Sequence, residues 1–508
     1  MNNLIGLSVL GYFLVGSVVW CQQWMGYHTS NYAGIHGVHF NPASLAGSNY
    51  KLDVNLVAAN VHVANNFLGV SVETLFDQEA WSDPNFTRNY LRTDFTRDFY
   101  DAIAHVNVQL PAFMVALSPR DAIGFSPRVR TFLNVDHLDR QMVRFIWEEF
   151  DYPPQFNRRV DNPYFGAHVN LWAEYGLTYA RTLIATKKYV FSGGLTVKLL
   201  QGLGGAYATA RNYGYTVHNT DTMSFHQVDL RMGYSNSFAN NRFGFQFEAD
   251  PAVGFDVGFV FEYTPGKYDK WGMVQKSKYL RRTGIWADDE SVYRAKIGVS
   301  LNDIGSMNYT RAPGSNHYIL NQDSLDLSAF NGVNGVQGFN DRLNAIFTPN
   351  GPNSNTFRME LPMHLQAYAD FRFKNNFGFH MGTTISLQSG QGDDHRNHFP
   401  FQVNFVGRWE KKWFGVYVPA YFDSYGLIHM GLSLRAGPLV IGSGDILSSL
   451  IQTKYPSANV HVALRWIFPV LNQSDIPSTT RCPAYGRGQS GKKRKAPKKK
   501  RWTKRTYI

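Results

Sequence analysis

Apolar and polar residues alternate one by one in many stretches of this chain, and this pattern limits the possible folds more than any other feature. In residues 457–468, Val460, Leu464 and Trp466 fall on one face of a strand, while His461 and Arg465 fall on the other. A period of two is typical of a β-strand whose two faces meet different surroundings. The pattern recurs at residues 51–63, 108–117, 122–135, 168–179, 191–199, 253–263, 293–302, 361–373, 401–409 and 428–435.

These stretches have the length and charge pattern of membrane-spanning strands. They run to roughly 10 to 13 residues, whereas strands of globular sheets usually have about five or six. Their polar faces carry charged residues near mid-strand, which suits a wet or ion-paired interior. The alternative is a soluble sandwich, in which the apolar positions would face a dry core. The candidate lumen-facing residues are Glu174, Asp256, Glu262, Lys296, Asp370 and Arg372.

The absence of long apolar runs narrows the class further. After residue 21, no run reaches the roughly 18 apolar residues that a helical span needs. A membrane protein with this sequence must therefore be a closed barrel. We predict an all-β fold, a transmembrane antiparallel β-barrel of roughly 12 to 16 strands, with about 14 favoured and a few short helices in the connections.

The N-terminal residues have the features of a secretory signal peptide. An apolar run extends from Leu4 to Trp20 without an acidic residue, and Val19 and Cys21 precede a possible cleavage site before Gln22. The alternative is a lipoprotein signal acylated at Cys21, but Trp20 is too bulky for the position before such a cysteine. The predicted organisation is a signal peptide at 1–21, an irregular segment at 22–50, the barrel at 51–468 and a tail at 469–508. Cys482 would be the remaining cysteine, which excludes an intrachain disulfide in the mature chain.

Three stretches depart from alternation. Phe95, Phe99 and Ile103 recur at helical spacing and predict a surface helix. Residues 137–149 also have a helical pattern, which Pro153 and Pro154 end. Residues 446–451 predict a short helix capped by Asp445. The connections 268–291, 312–357 and 388–398 are rich in Gly, Asn and charge, as expected of loops on the outer side of a barrel.

The basic charge of the chain lies in its tail. Residues 481–508 contain 12 Lys or Arg and no acidic residue, so residues 1–480 carry 38 charges of each sign. Such a run is expected to be disordered. Behind a signal peptide, its expected partners are anionic lipid headgroups or an acidic periplasmic protein, and no nucleic acid; the alternative is a solvated appendage without a partner. The candidate binding residues are Lys492, Lys493, Arg494, Lys495, Lys498, Lys499, Lys500 and Arg501.

Motifs that carry chemistry are missing from the sequence. It contains no nucleophile elbow, no Cys/His set with metal-ligand spacing and no phosphate-binding loop. His36 and His39 are three residues apart, but Gly34 and Gly37 beside them argue against a helix that would bring the two rings together. We predict no catalytic residue, no metal site and no cofactor.

Several segments resemble known outer-membrane proteins. Residues 31–47 (NYAGIHGVHFNPASLAG), 299–306 (VSLNDIGS) and 434–446 (LRAGPLVIGSGDI) are similar to an uncharacterised bacterial outer-membrane family, a domain of unknown function. The resemblance spans most of residues 30–470. The element Asn41, Pro42 and Ala43 also resembles the start of long-chain fatty-acid transporters and of a related barrel in a bacterial secretion system. In those families the N-terminal segment enters the lumen, so the resemblance implies that residues 22–50 form a plug.

Two functions are consistent with this reading. The first is non-enzymatic passage of a small or apolar solute through a plugged barrel in the bacterial outer membrane. The second is a structural scaffold or accessory subunit of a secretion or envelope-assembly complex, whose loops and basic tail would hold protein partners. An even strand count would place both chain ends, and therefore the tail, in the periplasm.

Overall fold

The computed structural model describes residues 26–466, apart from residues 49, 72, 75–76, 84–85, 119, 187, 241–243, 264–292, 334, 351–353, 374–375, 389–395 and 453–454. The predicted signal peptide at 1–21 and the predicted basic tail at 469–508, with Cys482, lie outside the described residues.

Strands account for most of the described chain. They are β1 Leu52–Asn65, β2 Leu68–Gly69, β3 Arg92–Thr93, β4 Phe99–Gln109, β5 Ala112–Ala116, β6 Asp121–Asp139, β7 Arg159–Ala185, β8 Tyr189–Val217, β9 Thr222–Tyr234, β10 Ala252–Tyr263, β11 Ala295–Ile304, β12 Ser306–Thr310, β13 His317–Asp326, β14 Thr356–Glu360, β15 His364–Arg372, β16 Phe377–Ser386, β17 Gln402–Glu410, β18 Phe414–Asp423, β19 Ile428–Met430, β20 Leu432–Ala436, β21 Leu439–Ser443 and β22 Ser457–Trp466.

The helices are short. The α-helices are α1 Gln78–Ser82, α2 Phe86–Tyr90, α3 Arg140–Trp147, α4 Asn236–Ala239, α5 Gly335–Ile346 and α6 Ile446–Ile451. Short 3-10 helices span Gly34–His39, Pro42–Gly47, Pro153–Gln155 and Leu327–Phe330. In the described part of the chain, no helix is both long and apolar enough to cross a membrane. The prediction of a helix within residues 137–149 is confirmed by α3.

Antiparallel pairing closes the strands into a barrel. The β4 and β5 segments both pair with β1 and β6, and both β19 and β20 pair with β18, so each couple counts as one interrupted strand. The ring closes where β22 pairs with β1. The barrel therefore has 14 strands, which confirms the predicted fold class. In order around the ring they are β1, β4 with β5, β6, β7, β8, β10, β11, β15, β16, β17, β18, β19 with β20, β21 and β22.

The two ends of the barrel differ. Val54 at the start of β1 pairs with Trp466 at the end of β22, so both strands meet at one end, which we call the terminal end. The opposite end, the distal end, carries the connection 305–363 with β12, β13, β14 and α5. The predicted outer loop at residues 268–291 lies outside the described residues. Residues 312–357, predicted to be a loop, lie at the distal end and contain the strand β13 and the helix α5.

The strands present an apolar surface to the outside and a polar one to the lumen. On β10, Val253, Phe255, Phe259 and Phe261 are 37% to 52% exposed, while Asp256 between them is 2% exposed. β-branched and aromatic residues favour such strands because their side chains pack on a pleated surface. In a soluble sandwich the apolar side chains would face inward and the polar ones outward. Here the apolar side chains face outward and the polar ones are buried, which is the arrangement of a membrane barrel.

The distal end carries a cap of its own. Residues 189–200 of β8 pair with β10, but residues 206–217 leave the ring and pair with β9, which pairs with β13. Apolar side chains of this small sheet pack with Leu343 of α5 and Phe145 of α3. We call β9, β13, residues 206–217, α3 and α5 the distal cap. Because the strands continue into the cap, β7 and β8 reach 27 and 29 residues, well beyond the predicted strand length.

One predicted helix is wrong. Phe99 and Ile103 belong to strand β4, and Phe95 precedes it. The register of β4 against β6 shifts between Tyr100 and Ala102, which is a bulge. A spacing of four residues fits one face of a strand as well as one face of a helix. The bulge moves the alternation by one residue, so the strand pattern of β4 is interrupted and was not recognised in the sequence.

Candidate functional site: the plugged lumen

Residues 26–48 lie inside the terminal half of the barrel, and we call this segment the plug. Its residues Ile35, Val38 and Leu45 are fully buried and pack on Met114 and Ala180 of the wall. The plug consists of turns and two 3-10 helices, so its backbone forms no β-ladder with the wall in the described residues. The expectation that His36 and His39 lie outside a helix is wrong, since both belong to the 3-10 helix Gly34–His39. No cluster of three or more potential metal ligands occurs among the described residues.

The Asn41, Pro42 and Ala43 element fixes the plug to the wall. Asn41 accepts a hydrogen bond from the Ala43 backbone N–H at 2.9 Å, which starts the helix Pro42–Gly47 with proline at its first position. The Asn41 side-chain amide donates to the backbone carbonyls of Phe259 at 3.1 Å and Val299 at 3.2 Å. These carbonyls belong to neighbouring strands, so one fully buried amide holds the plug across β10 and β11.

Glycines in the wall make room for this element. A Cβ on Gly194 of β8 would overlap the backbone of Pro42 and Ala43, and a Cβ on Gly258 of β10 would overlap Asn41. The two residues are direct partners across β8 and β10. The close approach of plug and wall therefore depends on a paired glycine position, where any side chain would push the plug away.

A balanced set of buried charges lies across five consecutive strands of the ring beside the plug. Arg130 binds Asp303 through two hydrogen bonds of 2.7 and 2.9 Å. Lys198 lies 2.7 Å from both Asp303 and Asp256. Glu174 accepts from both arginines of β6. We call Arg128, Arg130, Glu174, Lys198, Asp256 and Asp303 the charge cluster; all six are nearly inaccessible and their charges cancel.

The sequence indicated only part of this cluster. Glu174 and Asp256 were predicted to face the lumen, and the structure brings them together through Lys198. Asp303 was missed because alternation places it on the outer face with Leu301. A bulge opposite Phe255 and Val257, with Asp303 at φ +60°, turns its carboxylate inwards. Two consecutive buried polar residues, Asn302 and Asp303, break the pattern at this point and are the signal that could have revealed the bulge.

A second polar group joins the plug to the terminal end of β15 and β17. The predicted residue Asp370 accepts from Arg408 at 2.6 Å and from Tyr293 at 2.8 Å. Arg408 also donates to the backbone carbonyl of Thr29 in the plug at 2.8 Å. The plug residue Asn31 donates to Glu410 at 2.9 Å. Of these partners, the sequence had indicated only Asp370.

Arg465 of β22 makes a third attachment. Its guanidinium pairs with Asp53 of β1, and it donates to the Tyr32 carbonyl of the plug at 2.8 Å. The other carboxylate oxygen of Asp53 accepts from the Ile35 N–H at 2.8 Å. Asp53 and Arg465 thus pair with each other, and each of them also binds the backbone of the plug. Alternation had placed Arg465 on the inner face without singling it out.

The other predicted lumen residues take different positions. Glu262, Lys296 and Asp370 are direct cross-strand partners on β10, β11 and β15. Glu262 and Lys296 line a cavity of about 50 Å³ beside the plug, which has room for a few water molecules and not for a solute. Arg372 lies at the terminal rim of β15, half-buried and 3.4 Å from Asn376, apart from the buried groups.

The distal half of the lumen is filled by apolar side chains. The strands β12 and β14 pair as a two-stranded sheet, with Tyr309 opposite Phe357. Their side chains pack on Phe132 and Trp172 of the wall, and the Tyr309 hydroxyl donates to Asn170 at 2.7 Å. The lumen is therefore filled by the plug at the terminal end and by this pair of strands at the distal end.

The short helix α6 is present as predicted, but Asp445 does not cap it through its side chain. The Asp445 carboxylate is instead 2.7 Å from His429 and accepts from Tyr421 and Ser457 at 2.8 Å. Asp423 lies 3.0 Å from the other ring nitrogen of His429. The Asp445 carboxylate therefore binds side chains of other elements instead of capping the first turn of α6 as the sequence had predicted.

A family model described as "Family of unknown function (DUF5723)" matches residues 42–444. The chain belongs to this family. The resemblance to a domain of unknown function inferred from residues 31–47, 299–306 and 434–446 is thereby confirmed. The match to DUF5723 begins at Pro42 and covers the barrel strands from β1 to β21.

Solved barrel structures show a weaker likeness to this DUF5723 member. A FadL homologue from Pseudomonas aeruginosa is 8% identical, with 88% of this chain and 96% of that chain covered and a TM-score of 0.37. The toluene transporter TbuX from Ralstonia pickettii is 10% identical, with 86% and 94% covered and a TM-score of 0.38. The toluene transporter TodX from Pseudomonas putida is 8% identical, with 88% and 98% covered and a TM-score of 0.30. No curated protein matches the sequence.

Proposed function

We propose that this chain is a non-enzymatic β-barrel of the bacterial outer membrane through which a small or apolar solute passes, with the plug as its gate. The belt of exposed apolar residues supports the membrane location, since such a surface on a closed barrel matches a lipid environment. Strand β1 begins and strand β22 ends at the terminal end of this barrel of 14 strands, and we place that end in the periplasm. The basic tail that follows β22 is then periplasmic, where its lysines and arginines would bind anionic lipid or an acidic protein.

The observation that carries the proposal is the way in which the plug is held. Individual bonds from Asn41, Asn31 and the Thr29 and Tyr32 carbonyls attach it to the wall. No ladder of the ring runs through it, and the ring closes between β22 and β1 without it. The plug can therefore leave the lumen while the barrel keeps its hydrogen bonds, which is what a gate requires.

The lumen also favours uncharged solutes. The charge cluster is neutral as a set and its members already bind one another, so it offers little net attraction to an ion. Beyond it, Phe132, Trp172, Met307 and Tyr309 form an apolar lining. A small apolar solute would lose little solvation in this half of the barrel.

Permeability of proteoliposomes tests the proposal. The wild-type protein should be silent in a swelling assay, because both halves of the lumen are filled. Deletion of residues 26–47 together with residues 306–310 and 356–360 should allow small uncharged solutes to enter, because both fillings of the lumen are then removed. Barrel integrity is checked through the heat-dependent shift in electrophoretic mobility. A deletion variant that keeps this shift and stays as impermeable as the wild type contradicts the gate.

A second candidate function is a scaffold for an envelope-assembly or secretion complex. The specific observation in its favour is the pair of strands β12 and β14, which fills the distal half of the lumen. In the part of the chain that the structure describes, this pair forms no β-ladder with the plug. A barrel that stays silent without its plug, and that co-purifies with membrane proteins only when residues 492–505 are present, would support this function instead of passage.

A further inference from the structure

The distal end contains a cavity lined by arginines. It has a volume of about 370 Å³ and lies between the connection before β4, the helix α3 and the start of β7. Its lining includes Arg140, Arg144, Arg158 and Arg159, together with Phe95 and Gln155. We call it the arginine cavity. It is remote from the plug, and its volume falls in the range of sites for small ligands, about 300 to 1,000 Å³.

The positive charge of this cavity is only partly compensated. Arg140 lies 3.6 Å from Asp98 and Arg159 lies 2.9 Å from Asp161, and both pairs are exposed. Among the described residues, no carboxylate lies within 4.0 Å of Arg144 or Arg158. Two guanidinium groups that face one cavity without an acidic partner form a site for an anion.

Arg144 is also held in position. Its guanidinium carbon lies 4.1 Å from the centre of the Tyr152 ring and 4.8 Å from the centre of the Phe95 ring. Its Nε is buried and has no hydrogen-bond partner. An unsatisfied buried donor is costly, so a ligand that accepts a hydrogen bond from this Nε would be stabilised here.

Whereas Arg144 contributes a buried donor, Gln155 contributes a buried hydrogen-bond acceptor. Its side-chain carbonyl oxygen is buried and accepts no hydrogen bond. This oxygen requires a donor, which a carboxylate or a sulfate lacks and a sugar hydroxyl supplies. The cavity thus combines donors for an anionic group with an acceptor for a hydroxyl.

From these groups we propose that the arginine cavity binds an anionic sugar, with its phosphate or carboxylate on Arg144 and Arg158 and a hydroxyl on Gln155. Such a group could belong to a free sugar or to the glycan of a lipid in the outer leaflet, which the distal end faces in the proposed orientation. The shared chemistry is an anionic oxygen group attached to a hydroxylated ring.

Calorimetric titration of the full chain in detergent tests the proposal. Glucose 6-phosphate and glucuronate should bind more tightly than inorganic phosphate, and glucose should bind weakest. Arg158→Gln and Arg144→Gln should each weaken glucose 6-phosphate roughly tenfold or more, since each removes a charge-assisted contact. Raising the salt concentration should weaken binding as well. Arg181→Gln is the matched control for Arg158→Gln, because Arg181 is also exposed but pairs with Asp121 at the terminal end.

A competition experiment distinguishes a free sugar from the glycan of a lipid. If purified lipopolysaccharide displaces glucose 6-phosphate, the site accepts the glycan of a lipid; if it does not, the site accepts a free sugar. Glucose binding as tightly as glucose 6-phosphate, no heat with either anionic sugar, or unchanged affinity in Arg158→Gln would each overturn the proposal. Arg158 is exposed at a strand start, so its variant is expected to fold. The result does not depend on whether the plug acts as a gate.

Discussion

The bonds of Asn41 allow the stability of the closed plug to be tested directly. In Asn41→Ala, the two hydrogen bonds of 3.1 and 3.2 Å that join the plug to the wall are lost. Each contributes about 1 kcal/mol net, so the closed state loses about 2 kcal/mol relative to a state in which the plug has left the wall. The 2.9 Å bond between Asn41 and Ala43 lies within the plug and can form in both states, so its loss does not enter this difference. At about 1.4 kcal/mol per factor of ten, the open fraction should rise roughly thirtyfold.

Cysteine labelling measures this change. Ser44 lies three residues after Asn41, and its hydroxyl oxygen is buried without a hydrogen-bond partner, so Ser44→Cys should be tolerated and shielded. The background is Cys482→Ser, which removes the thiol of the tail. When opening and closing are fast, the rate of reaction with a maleimide follows the open fraction. The Asn41→Ala plug should therefore react roughly thirtyfold faster than the wild-type plug.

The control for this experiment is Asn321→Ala, which removes an exposed amide from β13. It should leave the labelling rate of Ser44→Cys unchanged. The reasoning is refuted if Asn41→Ala labels no faster than this control, because the plug would then be held by something other than the bonds of the asparagine.

Three further predictions follow from the wall and the cap. Gly194→Ala should displace the plug and lower the melting temperature, since its Cβ has no room and overpacking costs about 1 to 3 kcal/mol. Asp303→Asn should lower the free energy of unfolding by about 3 to 5 kcal/mol, because it leaves buried cations uncompensated. Burial, followed by the charge of Asp139, raises the pKa of Tyr213 and Tyr215. Their stabilisation is therefore full below about pH 10 and is lost as the pH rises further, and the double Phe variant should lose less stability between about pH 9 and 12 in a denaturation series.

Each of these predictions has a matched control. Gly407→Ala adds a Cβ in open space, so an equal loss of stability in both glycine variants would contradict the argument from close approach. Arg372→Gln changes a charge at the rim outside the charge cluster and should alter the melting temperature little. For the tyrosines, the wild type and the double variant would have to lose stability in parallel at high pH for the proposed titration to be wrong.

Local sequence predicted the wall better than the interior. Alternation identified the strands that became β7, β10, β15 and β22, because the period of two follows from the geometry of a single strand. It failed where the ladder carries a bulge, at Asp303 and at β4, since a bulge depends on the pairing of two strands. It could not foresee that Asp445 would bind His429, because the two residues are brought together by different strands and connections.

What the sequence determined by itself is the two-faced character of each strand. Apolar residues on one face and polar residues on the other, without an apolar run long enough for a helix, leave a closed barrel as the way to satisfy the backbone in a membrane. Only the tertiary structure decided what fills the barrel. The positions of Asn41, Asp303, Arg408 and Arg465 relative to one another depend on the register of strands far apart in the chain, and such contacts are not encoded in any local pattern.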